Sequence, residues 1–151
     1  MKFEDYYKKY ADLTTASSVV KTEIENVIAS IFEAYPDMTF IWLQGYTPEW
    51  NDGDPCEHHM NFATSLSDSS GILNDAIVDR QFPKGLSADL VPVSLPTYKA
   101  CMDQRNVNDL LRRMSNLYRA AYDTNWNVIH TRSSSSDRLI DTVSSRYDCG
   151  Y

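Results

Sequence analysis

Thr39-Phe-Ile-Trp-Leu-Gln44, closed by Gly45, is a run of six β-formers without a polar break until its last residue. β-Branched and aromatic side chains suit a pleated backbone. The absence of apolar/polar alternation predicts a strand buried on both faces. Such a strand needs paired neighbours and packed layers above and below, and the flanking sequence supplies candidates for each.

Downstream, His58-His-Met-Asn-Phe-Ala-Thr64 alternates, with His58, Met60, Phe62 and Thr64 on one side and His59, Asn61 and Ala63 on the other. It is predicted to be the antiparallel partner of the first strand. Trp126-Asn-Val-Ile-His-Thr-Arg132 and Arg138-Leu-Ile-Asp-Thr-Val143 form a second predicted hairpin, turning through Ser133-Ser-Ser-Ser-Asp137. Upstream, Phe3, Tyr6, Tyr7 and Tyr10 recur at helical spacing, predicting a short helix over about 2–12. Thr14 and Thr15 offer an N-cap for a longer one, with Val20, Ile24, Val27, Ile28, Ile31, Phe32 and Tyr35 on one face. Pro36 ends it. Ile72 to Phe82 is predicted to form a short helix over the sheet. Residues 83–98, with Pro83, Pro92 and Pro96, are predicted to be an extended crossing. From about 104, Val107, Leu110, Leu111, Met114, Leu117, Tyr118, Ala121 and Tyr122 mark one long helix. The expected architecture is one α+β domain over 1–151: an antiparallel sheet of about four strands, made of two hairpins, packed against three to four helices.

The chain has 151 residues, enough to bury a core without metal or disulfide support. Cys56, Cys101 and Cys149 are isolated, with no C-x-x-C pair, and are expected to be reduced thiols. No apolar run approaches the roughly 20 residues that span a bilayer, and the polar N-terminus does not resemble a signal peptide; a cytoplasmic protein is expected. Net charge is −7. Residues 1–37 carry seven acids and four lysines, 38–100 eight acids and three bases, and 101–151 six acids and seven arginines. Acidity in the first two thirds disfavours direct nucleic-acid binding, since phosphates demand cations. It suits a basic protein partner, including one that handles nucleic acid and is met by charge mimicry.

Between the first two strands lies Tyr46-Thr-Pro-Glu-Trp-Asn-Asp-Gly-Asp-Pro-Cys-Glu57. It resembles the Y-T-P-Y-F-N-D-G-D-P-C-E-F stretch of a set of uncharacterised bacterial and phage proteins, where it likewise follows a strand ending in W-x-Q, here Trp42-Leu-Gln44. Val128-Ile-His-Thr-Arg132 is similar to the V-T-V-T-R-D-G segment near the end of those proteins. The chain departs from the pattern at Glu49, Trp50, His58 and His59 and at its polyserine turn. The resemblance implies the same fold and a phage-encoded accessory protein, and implies no activity.

Asn51-Asp-Gly-Asp54 has the oxygen-rich composition of a calcium loop, but the position six after its Gly, where an EF-hand places a bidentate Glu, holds His59. A tight turn fits better, with Gly53 at positive φ and Pro48 and Pro55 stiffening the ends. Cys56 and His58 are the candidate metal ligands, although adjacent His58 and His59 should point to opposite faces of a strand. Pairing of Cys56 with His130 as nucleophile and base would require a geometry that sequence does not display. Arg105, Arg112 and Arg119, spaced by seven with Arg113 beside them, predict a basic stripe along the last helix, either solvated or gripping an acidic partner or a second copy of the chain.

With no phosphate loop, H-x-x-x-H pair or nucleophile signature, the expected function is protein–protein binding, as an accessory factor or a phage inhibitor of a host protein. The expected recognition residues are Tyr46, Glu49, Trp50, Asn51, Asp52, Asp54 and Glu57, and no cofactor is expected. The alternatives are a small hydrolase or metal-dependent enzyme built on residues 51–58, and a structural or self-assembling protein.

Overall fold

The structure is a computed structural model. It describes residues 3–48, 53, 56–68, 70–86 and 98–147, with the backbone alone for 3–16 and 98–101. Helix α1 (Phe3–Ala34) leads into β1 (Phe40–Tyr46) and β2 (His59–Thr64). Helices α2 (Ile72–Asp79), α3 (Tyr98–Arg113) and α4 (Ser115–Tyr122) follow, then β3 (Trp126–Arg132) and β4 (Ile140–Arg146). The four strands form one antiparallel sheet in the order β2-β1-β3-β4, which confirms the α+β reading. Among the described residues, no helix is long and apolar enough to cross a membrane.

Central β1 is covered on both faces. Ile41 and Leu43 point into one core with Ile24, Ile28, Ile31 and Phe32 of α1 and Val107, Leu111 and Tyr118 of α3 and α4. Phe40 and Trp42 point into a second core with Ile72, Leu73 and Ala76 of α2 and with Leu86. Strand alternation thus divides the sheet between a large helical layer and, among the described residues, the short α2.

Four expectations are corrected. α1 runs unbroken through Thr14 and Thr15, so the two predicted N-terminal helices are one. Threonine in a helix interior costs only about half a kcal/mol, and no Gly or Pro lies between residues 3 and 34 to stop propagation. The long helix expected from 104 begins instead at Tyr98 and is interrupted at Met114. There the backbone (φ −86°, ψ −1°) tightens, and the Met114 N–H donates to Leu111 O. α2 ends at Asp79 rather than at 82, because Arg80 turns into the left-handed region (φ 54°) and donates its N–H to Ala76 O. β4 is displaced to 140–146, since the Ser133 N–H bonds Leu139 O and the polar tip extends to that residue. Of the predicted crossing, residues 87–97 lie outside the described residues; Leu86, just before them, is buried in the second core.

The ends of α1 and α2 are tied by side chains that carry the needed polarity. Arg132 of β3 donates to the carbonyls of Phe32 (2.9 Å), Tyr35 (3.3 Å) and Met38 (2.9 Å), with its guanidinium 5.2 Å from the Phe32 ring. α1 has no basic residue in its own last turn, so β3 supplies the cation that its C-terminal carbonyls favour. Asp68 accepts from the N–H groups of Leu73 and Asn74, satisfying two donors at the start of α2.

Candidate functional site

The register sorts the α2-side face of the sheet into rows. Ala63, Trp42, Ile129 and Val143 align across the four strands as an apolar row. The next row toward the β1–β2 loop is polar: Asn61, Gln44, Asn127 and Ser145. Beyond it Tyr46 faces His59, with ring centroids 5.0 Å apart, and meets the edge of Tyr147 at 6.2 Å. Tyr46 therefore folds back onto its own sheet end while staying partly exposed.

The polar row is internally bonded at one atom. Trp42 Nε1 donates to Asn127 Oδ1 (3.0 Å), and Gln44 Nε2 donates to the same oxygen (3.3 Å). Above these residues and beside α2 is a cavity of about 390 Å³, whose lining includes Gln44, Asn127, Asp75, Asp79 and Phe82.

The opposite face at the same end is filled by aromatic rings. The Trp126 indole lies over Gly45, its register partner, so closely that a Cβ at Gly45 would sit 2.2 Å from the ring. Trp126 stacks on Tyr118 (5.4 Å) and His58 (6.1 Å). Deeper in, Tyr118 Oη and His130 Nε2 are 2.8 Å apart, and His130 Nδ1 and Thr142 Oγ1 are also 2.8 Å apart. Burial pushes the His130 imidazole down to about 3, so it stays neutral at physiological pH. Burial likewise raises Tyr118 well above its ordinary value, with Tyr122 and Glu25 adding to the shift. This triad is a buried polar link between α4 and β4. Exposed Cys56 and fully buried His130 are not brought together, which removes the Cys–His pairing.

Of the predicted recognition residues, Glu49, Trp50, Asn51, Asp52 and Asp54 lie outside the described residues. Gly53 has φ +88°, as the turn requires, and Cys56 and Glu57 are exposed. The loop is fastened at its base: Thr47 Oγ1 lies 2.7 Å from His58 Nδ1, and the Thr47 N–H donates to Asn125 Oδ1 (3.4 Å). The His58 pKa is lowered by burial first, then by Arg119 and His59. Among the described residues, no group of three His, Cys, Asp or Glu side chains is placed to share a metal ion.

The three arginines of the predicted stripe divide. Arg119, on α4, acts on His58 at the loop base. Arg105 and Arg112, on α3, line a shallow groove with Gln104 and Asn108. Arg112 also bonds Asp109 (3.3 Å) and lies 5.8 Å from the Phe62 ring. The Met114 interruption separates the two groups.

Gln44, Asn127, Asp75 and Asp79 were absent from the expected site. Their signal was modest: a carboxamide closing the first apolar strand, another just inside the third, and two acids one helical turn apart. No family model, curated protein or solved structure matches the chain, so its function rests on this geometry.

Proposed function

We propose that the chain is a small cytoplasmic binding module for a basic protein, engaged by the sheet end that carries the β1–β2 loop. The observation that carries this reading is the half-exposed Tyr46–His59–Tyr147 cluster beside that acidic loop. Aromatic rings held in place by neighbours lose little entropy on binding, and the acidic sequence of the adjoining loop attracts a cationic partner. The likeness of the loop to bacterial and phage proteins points to a partner in a bacterial host and to an inhibitory or accessory role.

The enzyme alternative fares less well. His58 has its Nδ1 engaged by Thr47, Cys56 faces solvent, and His130 is occupied by Tyr118 and Thr142.

The test is affinity capture from bacterial lysate with wild-type protein, Tyr46→Ala and Asp52→Ala/Asp54→Ala, over a salt series. The expected outcome is a basic partner retained by wild type, released as salt rises, and weakened at least about 30-fold by Tyr46→Ala, the size of an interface hot spot. A partner retained equally by all three proteins would overturn the proposal.

A further inference from the structure

We infer that the cavity between α2 and strands β1 and β3 receives an arginine side chain of the partner. The inference rests on the basic-partner reading above and names the chemistry by which that partner is held.

The cavity floor has a fixed polarity. An indole N–H can only donate, so the Asn127 atom that faces Trp42 must be its carbonyl oxygen. The Asn127 NH2 is therefore the remaining group; the residue is only 7% exposed, lines the cavity, and makes no NH2 hydrogen bond to the described residues. Gln44 spends its own NH2 on the same Asn127 oxygen, which leaves Gln44 Oε1 as an acceptor with no partner among the described residues. A donor and an adjacent acceptor thus border the cavity, open to a ligand that can bond both.

The wall adds charge. Asp75 and Asp79 stand one turn apart on α2, both exposed and both on the cavity lining, and neither is in an ion pair among the described residues. Asp79 is the last residue of α2, whose last turn has no basic residue. A carboxylate there opposes the helix dipole, so it is placed against the stability of its own helix. Two carboxylates and a carbonyl acceptor exclude phosphates and carboxylates and favour a cation with several N–H donors. A guanidinium meets that demand: its planar fork can bridge the two acids and reach Gln44 Oε1, and its face packs on the Phe82 side of the cavity. A lysine ammonium, a point charge, cannot span the same acceptors. Asn127 is left to donate to a main-chain carbonyl, which a peptide carrying the arginine provides.

The experiment is an NMR titration of the intact protein with Ala-Arg-Ala blocked at both ends, and with the same peptide carrying citrulline, which has the same outline without the charge. The expected result is movement of the Trp42 indole and of the Gln44 and Asn127 side-chain amide signals with the arginine peptide. Asp75→Asn/Asp79→Asn should weaken binding by about tenfold or more, the scale of lost charge-assisted hydrogen bonds. Both positions are exposed on a helix surface, so the variant keeps its fold, which its unchanged core amide signals would verify. Equal binding of the citrulline peptide, signal changes elsewhere, no binding, or indifference to the double substitution each overturn the inference. If the arginine peptide fails while partner capture still depends on Tyr46, the binding-module reading stands alone. If the peptide seats in the cavity while capture ignores Tyr46 and the loop acids, the cavity stands and the loop is removed from the account.

Discussion

His130 and Asn127, on opposite faces of β3, are bonded differently. Under α1 and α4, His130 is fully buried yet bonded at both ring nitrogens, to Tyr118 and Thr142. Under α2, Asn127 is almost as deep, but only its oxygen is engaged, and its NH2 lines a cavity. A buried polar group costs little when paired and about 1–3 kcal/mol when it is not. The His130 site is therefore closed by its own chain, whereas the Asn127 NH2 is left facing a cavity; on the helical side Trp126 Nε1 and His58 Nε2 are buried with no partner among the described residues.

Neighbouring residues of β1 give the sharpest contrast, because they point to opposite faces. Gly45→Ala drives a methyl group into the Trp126 ring and is expected to destabilise by about 3 kcal/mol or more, as severe overpacking does. Gln44→Ala removes one 3.3 Å hydrogen bond from the cavity floor and is expected to cost about 1 kcal/mol or less. Urea denaturation of the two variants measures both. Similar costs would mean that the two faces are equally tightly packed at this end of β1.

Acid is the next way to separate the faces. The unfolded His130 takes up a proton near its ordinary value of 6.5, whereas the folded imidazole resists protonation until about 3. Stability present at neutral pH is therefore lost as pH falls through this window. Between pH 7 and pH 5 the loss from this group is about 2 kcal/mol, and His58, also shifted downward, adds in the same direction. His130→Phe should be less stable at pH 7, because Tyr118 and Thr142 lose their partner, yet should show a shallower loss between pH 7 and pH 5. An unchanged acid slope in this variant would show that His130 is not its source.

The smallest expected effect lies on α2. Asp79→Asn removes an unfavourable helix-end charge and should raise stability by a few tenths of a kcal/mol, read as a small increase in Tm. A clear loss of stability would mean that Asp79 serves the fold rather than a ligand.

The sheet was largely legible in the sequence because its strands announce themselves locally. Phe40 to Leu43 and Trp126 to Arg132 are dense in β-branched and aromatic residues, and the β3 boundaries match their prediction. Helix ends were less legible. Thr14 and Thr15 are good caps that helix propagation overrides, whereas the Met114 interruption and the Arg80 cap carry no Gly or Pro to mark them. The cavity was not legible, because register creates it. Gln44 and Asn127 lie 83 positions apart and meet only once β1 pairs with β3, and α2 contributes Asp75 and Asp79 only after folding over that face. Part of the loop chosen from sequence, Gly53 and the Thr47–His58 base, takes a form suited to a stiff turn.

The central claim is that partners are met at the loop end of the α2-side face and not on the helical layer. Photo-crosslinking tests this directly, with benzoylphenylalanine placed at position 46 or at position 110, where Leu110 is exposed on α3. The account predicts a crosslinked basic partner from position 46 and none from position 110; a partner captured from 110 and not from 46 would contradict it.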